Sequence, residues 1–254
     1  MSANLVLGAG GAAEAYTIDQ SLHISNEIDS YLSKQYSVAG NQRTWTISVW
    51  VKRAKLDDTS EQHLLNYSQG TSHPRGGLRF YPNSYAPEES LVCQFNGMAT
   101  AAVLSSSAMY VDPASWYHVV CGCDTTLSDS SNRYILYVNG ERLTSFSDEL
   151  QPNQNDDTAF GQTGDYHTIG RWSPSMYIAE FHFLDGIQAT ASDFGKNNPA
   201  TNQWVPIEYD GSYGTNGFYQ KYVSAATGFS ATGNAQLSTS CLLYTSPSPR
   251  DGLL

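Results

Sequence analysis

Apolar and polar residues alternate with a period of two along most of the chain from Tyr16 onward, which is the period of strands with one buried face. In the segment Thr44–Arg53, Trp45 and the residues at every second position up to Val51 are apolar. The same pattern predicts further strands at His63–Ser68, Leu78–Tyr81, Leu91–Asn96, Thr100–Leu104, Trp116–Asp124, Arg133–Val138, Arg142–Phe146, Thr168–Arg171, Tyr177–Leu184 and Gly217–Val223.

Turn and cap residues separate these strands. Asn139-Gly140 stands between Tyr134–Val138 and Arg142-Leu143, and Asn-Gly supplies the positive φ angles of a type I′ hairpin turn. The helical signal is a single turn that begins at the N-cap residue Thr190 and ends at Gly195. About a dozen short strands with so little helix indicate a β-sandwich or a β-barrel.

Composition narrows the classes of partner. The chain has 254 residues, 40% of them hydrophobic, so it can bury the core of one large β domain. Its net charge of −11 argues against a nucleic-acid surface and fits neutral or cationic partners, including sugars and divalent ions. No apolar run reaches the length of a membrane span, and the N-terminus lacks the regions of a signal peptide. A location outside the cell would therefore require another exit route, such as the release of an assembled virion when the host cell lyses.

Neither the cysteines nor the glycine-rich N-terminus predicts a cofactor site. The four cysteines lack the CxxC spacing of a zinc site, and we interpret them as small buried hydrophobic residues: Cys93, Cys121, Cys123 and Cys241. Gly8–Ala13 matches a dinucleotide-binding pattern, but that pattern needs a following helix, and Thr17–Ser25 is predicted to be a strand. Residues 1–15 are therefore predicted to be a linker or an upstream remnant.

Segments spread over residues 16–195 resemble the laminin G-like and pentraxin-like members of the concanavalin A-like domains: Ser21–Ser25, Asp29–Leu32, Thr44–Val51, Trp116–Val120, Leu136–Gly140, Ile169-Gly170, Tyr177–Phe181 and Thr190–Phe194. The resemblance implies an all-β fold, an antiparallel two-sheet jelly-roll sandwich whose first two segments form an opening hairpin. The resemblance and the alternation at Val119 together place Trp116 in the core between the sheets. His118 is then expected to be a structural histidine.

The sandwich is predicted to occupy residues 16–200, and residues 201–240 to add a closing strand or to begin a following module. Within the latter, Trp204–Tyr219 resembles the continuation of such modules in large phage tail-fibre-like proteins. Cys241–Asp251 resembles a translated sequencing adapter, which predicts a truncated gene from a metagenomic contig. We therefore exclude residues 241–254 from the fold; the alternative is a Pro-rich disordered tail.

The same fold family includes glycosidases of the laminarinase and agarase type, which carry an E-x-D-x-E motif or a variant one residue longer. Glu27 and Asp29 begin such a motif, but Tyr31 and Leu32 occupy the positions of the third acid. The two acids are therefore interpreted as solvated turn residues, and the chain is predicted not to be an enzyme.

Two sets of loop residues are candidate sites. Aromatic rings at predicted strand ends or in loops could stack on sugar faces, although packing beneath a loop is the alternative: Tyr81, Tyr85, Trp172 and Tyr213. Acidic loop residues offer the oxygen ligands that calcium prefers, although a solvated loop is the alternative: Asn155, Asp156, Asp157 and Asp165.

The sequence thus predicts a non-catalytic recognition module of a phage tail-fibre-like protein that contacts host-surface polysaccharide. Its expected partners are other tail proteins and further copies of itself in the full-length fibre, and its expected location is the virion. A structural spacer is the first alternative, and a glycoside hydrolase is the second, disfavoured one.

Overall fold

The computed structural model describes residues 16–24, 30–56, 60–68, 76–82, 87–96, 101–171, 175–222, 229–232 and 236–238. Its strands, in chain order, are β1 (Ser21–Ile24), β2 (Tyr31–Gln35), β3 (Thr44–Lys52), β4 (Gln62–Ser68), β5 (Gly76–Phe80), β6 (Ser90–Asn96), β7 (Ala101–Met109), β8 (Tyr117–Asp124), β9 (Tyr134–Val138), β10 (Glu141–Arg142), β11 (Phe146–Leu150), β12 (Tyr166–Ile169), β13 (Met176–Asp185), β14 (Gly195–Asn197), β15 (Trp204–Pro206), β16 (Phe218–Gln220), β17 (Ser230–Thr232) and β18 (Gln236–Ser238). Short 3-10 helices occur at Ser130–Asn132 and Ala191–Asp193. The predicted linker (1–15) and adapter-derived tail (241–254) lie outside the described residues.

The strands form two large antiparallel sheets. Sheet A has the order β10-β9-β8-β3-β13-β1-β18, with β16 also pairing with β13. Sheet B has the order β11-β7-β6-β5-β4-β12-β2-β17, and β14 and β15 form a separate pair. The predicted all-β, antiparallel two-sheet sandwich is confirmed. Among the residues that the structure describes, no helix combines the length and apolar character needed to cross a membrane.

The main core lies between the sheets, and β3 shows how the alternation builds it. Trp45, Ile47, Val49 and Val51 are fully buried in this core, as the pattern predicts, while Trp50 belongs to a separate cluster on the other face of sheet A. Three of the predicted buried cysteines are confirmed as free thiols in the same core: Cys93, Cys121 and Cys123.

The predicted place of Trp116 is wrong. It is buried, but it packs with Trp50 on the outer face of sheet A and not between the sheets. The reason is the strand period of two: counting back from Val119 brings Tyr117 to the inner face and leaves Trp116 on the other. His118 is the structural histidine that was predicted.

Both ring nitrogens of His118 are occupied. Its Nε2 lies 2.9 Å from Ser48 Oγ, and its Nδ1 accepts a hydrogen bond of 2.9 Å from Trp204 Nε1. Burial lowers the pKa of His118 to about 3, so the ring is neutral.

Two predicted strand arrangements also differ from the structure. The predicted opening hairpin is wrong, because β1 pairs with β13 and β18 in sheet A whereas β2 pairs with β12 and β17 in sheet B. The predicted single strand Arg142–Phe146 is wrong, because the chain leaves sheet A after β10 and enters sheet B at β11. Leu143 and Phe146 both pack against the core, and their spacing of three does not fit one strand. The predicted turn at Asn139-Gly140 is confirmed, with φ values of 50° and 86°.

Residues beyond 201 add strands to both sheets. β16 pairs with β13 and β18 with β1 in sheet A, and β17 pairs with β2 in sheet B. Asp185, at the end of β13, accepts hydrogen bonds from the backbone N–H groups of Asn41 (2.6 Å) and Asn216 (2.9 Å). These contacts fix residues 213–220 against sheet A. The division of the chain into domains stays a prediction.

Candidate functional site

A polar network centred on Arg79 lies on the outer face of sheet B; its members are Glu61, His63, Arg79, Tyr81 and Gln94. Leu78 and Phe80 of β5 point into the core, so Arg79 between them points outward. Register places Arg79 directly opposite His63 of β4. We call this group the Arg79 network.

The contacts within the Arg79 network are short. The Arg79 guanidinium donates a 2.6 Å hydrogen bond to Gln94 Oε1, and its Nε lies 3.2 Å from Glu61 Oε2. His63 Nε2 lies 2.9 Å from the same Glu61 oxygen. The Tyr81 ring centre lies 5.2 Å from the guanidinium carbon, within cation–π range.

The charges of the network balance. Burial raises the pKa of Glu61, but its contacts with His63 and Arg79 outweigh burial, so this pKa lies below its usual value. Burial lowers the pKa of His63. At neutral pH, therefore, an ionised Glu61 faces a charged Arg79 and a neutral His63.

A glycine lies between two amide-bearing residues in the cross-strand row next to Arg79. Gly77 of β5 pairs with Asn66 on one side and with Gln94 on the other, so a glycine separates two amide side chains. A Cβ at Gly77 would lie 2.1 Å from the Leu65 carbonyl oxygen, so the approach of β4 requires glycine here. Asn66 Nδ2 is buried without a hydrogen-bond partner among the described residues, and Arg79 Nε makes no hydrogen bond of normal geometry.

A second polar group, here called the Glu180 cluster, lies on the outer face of sheet A; its members are Tyr16, Glu180, His182, Tyr213 and Tyr219. Glu180 Oε2 accepts hydrogen bonds of 2.6 Å from both Tyr16 and Tyr219. His182 Nδ1 lies 2.9 Å from the Tyr213 hydroxyl, and the His182 ring stacks on Tyr219 with centres 4.4 Å apart. Burial and the contact with Glu180 raise the pKa values of Tyr16 and Tyr219, so both remain protonated donors.

The predicted aromatic residues do not form one platform. Tyr81 belongs to the Arg79 network beside sheet B, whereas Tyr213 belongs to the Glu180 cluster beside sheet A. Tyr85 and Trp172 lie outside the described residues. A sugar-binding role for each of the four stays a prediction.

The predicted calcium ligands make protein contacts. Asp157 pairs with Arg43 at 2.6 Å, and Asp156 Oδ2 accepts a 3.1 Å hydrogen bond from the Asn153 backbone. Asn155 adopts a φ of 63°, and Asp165 is buried. Within the described residues, no three His, Cys, Asp or Glu side chains are grouped as a metal site requires. Calcium binding stays a prediction.

Sequence reasoning did not find Arg79, Glu61 or Glu180. The first two come together through the pairing of β4 with β5, which no local pattern reveals. For Glu180 a signal was present, because a carboxylate stands among the mostly apolar residues of the predicted strand Tyr177–Leu184.

The family model described as "Concanavalin A-like lectin/glucanases superfamily", of laminin G type, matches residues 26–185. The chain belongs to this superfamily. No curated protein matches it.

Solved structures with a similar arrangement include the heptameric SAP-like pentraxin of Limulus polyphemus, at 13% identity and a TM-score of 0.46. That match covers 69% of this chain and 80% of the pentraxin. The sialidase carbohydrate-binding module CBM40 of Ruminococcus gnavus, bound to α2,3-sialyllactose, matches at 15% identity, covering 64% of this chain and 91% of the module, with a TM-score of 0.37. The receptor-binding domain of a botulinum neurotoxin mosaic serotype C/D matches at 16% identity, covering 71% of this chain and 42% of that domain, with a TM-score of 0.42.

Proposed function

We propose that this lectin-type domain is a non-catalytic recognition module of a phage tail-fibre-like protein and that its Arg79 network contacts a host-surface glycan. The family and the acidic net charge favour an uncharged, hydroxyl-rich ligand over an anionic one. Other tail proteins and further copies of the chain are the proposed partners in the virion.

The Arg79 network is the observation that carries this proposal. Sugar hydroxyls donate and accept hydrogen bonds, and the network offers both kinds of group side by side in Arg79 and Glu61. Asn66 Nδ2, opposite Gly77 in the register of β4 against β5, adds a buried donor without a partner among the described residues. The Tyr81 ring supplies the apolar surface on which a sugar ring can stack.

Each such site is expected to bind weakly on its own. A few hydrogen bonds and one ring face give modest affinity, and a fibre that presents several copies amplifies it through effective concentration. The test therefore needs a multimeric display of the chain.

A glycan array probed with the protein on a multimeric scaffold tests the proposal. Tyr81→Ala and Arg79→Gln should each weaken retention by about tenfold or more, as expected of central contact residues. Tyr81→Phe keeps the ring and should retain most binding. Arg142→Gln is the matched control, because it removes one positive charge from an exposed arginine bonded to Ser131 and Asn132.

Two outcomes would contradict this function. Retention on no glycan surface would favour the structural spacer. Release of reducing ends from β-glucans or agar, lost in Glu27→Gln, would favour a glycosidase; Glu27 and Asp29 lie outside the described residues.

A further inference from the structure

Glu180 stands in an unusual backbone position. Register shifts between Ala179 and His182 of β13, so two residues, Glu180 and Phe181, oppose one residue of β3. Glu180 has a φ of 47°, a left-handed conformation that costs a non-glycine residue free energy. The bulge removes Glu180 from the alternation of the strand and directs its carboxylate toward the tyrosines of the Glu180 cluster.

The two carboxylate oxygens of Glu180 have different surroundings. Oε2 accepts from Tyr16 and Tyr219, whereas Oε1 is buried and has no hydrogen-bond partner among the described residues. The residue as a whole is 3% exposed. A buried carboxylate oxygen without a donor is costly, and such groups are normally satisfied by a protein group, a water or a ligand.

The negative charge of Glu180 also lacks a counter-charge. Among the described residues, no lysine or arginine lies within ion-pair distance of it, and the nearest basic group is His182 Nε2 at 3.8 Å. Burial raises the pKa of Glu180, but contacts with His182, Tyr16 and Tyr219 outweigh burial and hold it below the usual value. Burial lowers the pKa of His182 despite Glu180. An ionised carboxylate is thus enclosed beside a neutral histidine, and a cation is the missing element.

The rings around Glu180 favour an organic cation. Tyr16, Tyr213 and Tyr219 are each partly exposed, so the cluster reaches the protein surface at these residues. The chain itself places one ammonium group there, because Lys221 Nζ lies 5.5 Å from the centre of the Tyr16 ring. This arrangement, an ammonium on a tyrosine face beside a carboxylate, is a known mode of ammonium recognition.

We propose that the Glu180 cluster is a binding site for a primary ammonium group, with Glu180 Oε1 as the acceptor and the tyrosine rings as its walls. The group can belong to an amino sugar or to a lysine side chain, since both present the same cation. The site lies on sheet A, away from the Arg79 network on sheet B, and does not rest on the glycan function proposed for that network.

The minimal probe is methylammonium chloride, titrated into the full chain and followed through the NMR signals of the His182 and Tyr219 rings. Saturable shifts of these signals are expected, while sodium chloride at equal ionic strength should leave them unchanged. Glucosamine and N-acetyl-lysine amide then distinguish the two sources, with glucose as the control that lacks the ammonium group.

Variants separate a specific site from general acidity. Glu180→Gln should weaken methylammonium binding by about tenfold or more, because a charge-assisted hydrogen bond is lost. Glu208→Gln removes one exposed negative charge near Tyr16 and Tyr213 and should change affinity less than about twofold, as expected of a screened charge. Lys221→Gln should bind at least as tightly as the wild type, because it removes the neighbouring ammonium.

Three results would overturn the proposal: no ring shifts in the wild type at any methylammonium concentration, equal shifts with sodium chloride, or loss of binding in Lys221→Gln. The wild-type titration decides the matter even if Glu180→Gln does not fold.

Discussion

Two arginine–glutamate pairs lie close to the same strand, β5, and differ in how completely their hydrogen-bonding groups are used. Arg53 is fully buried at the end of β3, and its guanidinium contacts Glu89, the Tyr110 carbonyl oxygen and Gln62, the last at 2.7 Å. Its carbon lies 4.6 Å from the centre of the Phe80 ring. Each guanidinium nitrogen of Arg53 has a protein partner.

Arg79 repeats this chemistry on the outer face of the sheet without completing it. Its Nε lies near Glu61 but makes no hydrogen bond of normal geometry, and the Glu61 side chain is 25% exposed, against 6% for Glu89. Tyr81, the next residue along the chain from Phe80, takes the place of the ring beneath the guanidinium.

The difference between the pairs supports the different roles proposed for them. Both arginines are buried, but a network in which every group is bonded contributes to a unique fold and has nothing to offer a ligand. A network with an accessible carboxylate and an incompletely bonded guanidinium can exchange an internal contact for a ligand hydroxyl. Residue types alone do not separate structure from function here; the extent of hydrogen bonding does.

The largest effect is expected from Arg53→Met. This change leaves Glu89 buried without its partner, and breaking a buried pair in this way costs about 3–5 kcal/mol. Urea denaturation measures the loss of unfolding free energy. The double variant Arg53→Met/Glu89→Met should recover much of it, because no lone charge remains. A cost near zero for Arg53→Met alone would contradict the structural role assigned to the pair of Arg53 and Glu89.

A smaller loss of stability is expected from Arg79→Met. Glu61 is partly exposed and can regain water, so the expected cost is about 1–2 kcal/mol. Glycan retention, in contrast, should fall as it does for Arg79→Gln. If Arg79→Met destabilised the chain as much as Arg53→Met while binding persisted, Arg79 would have a structural role and not the binding role proposed for it.

Lowering the pH should reduce the free energy of unfolding before it changes the charges of the Arg79 network. Burial lowers the pKa values of His118 and His167 to about 3, whereas the unfolded chain takes up these protons near pH 6.5. Their contribution is complete above about pH 6.5 and declines as the pH falls toward the folded values, by about 1 kcal/mol per histidine on reaching about pH 5.5.

Urea midpoints at several pH values test this decline. His118→Asn, with one neutral polar group in place of the imidazole, should remove part of the dependence. The low pKa of Glu61 keeps the Arg79 network charged in the same interval, so glycan retention should change less than stability does. A pH-independent midpoint would contradict the neutral burial of both histidines.

The sequence predicted what depends on local alternation and turn chemistry. The core face of β3 and the Asn139-Gly140 hairpin follow from side-chain period and backbone preference, so they could be found without a structure. The place of Trp116 was wrong because the alternation was counted with an odd offset from Val119. The crossing between sheets after β10 was missed because sheet membership depends on long-range pairing.

The candidate sites were predicted only in part, for a related reason. Tyr81 could be selected as a ring near a strand end, but its neighbours Arg79 and Glu61 meet through the register of β4 against β5. The tyrosines around Glu180 come from distant parts of the chain. A bulge in β13 directs the Glu180 carboxylate toward them. Neither the register between two strands nor the position of a bulge can be read from a single sequence.

The smallest effect is expected from Arg43→Ala. Its ion pair with Asp157 is open to solvent, with the two side chains 44% and 48% exposed, so water and salt already screen it. Removing it should cost about 0–1 kcal/mol, and the cost should shrink further at high salt.

The variant also frees Asp157, one of the predicted calcium ligands, from its ion pair with Arg43. Calcium titration of the wild type and the variant, followed by thermal denaturation, therefore tests both ideas. If calcium binds at this loop, the variant should gain more stability than the wild type, and Asp156→Ala should abolish the gain. A cost above about 2 kcal/mol without calcium would show that exposure does not set the value of an ion pair in this protein and would remove the reason given for the smaller cost of Arg79→Met.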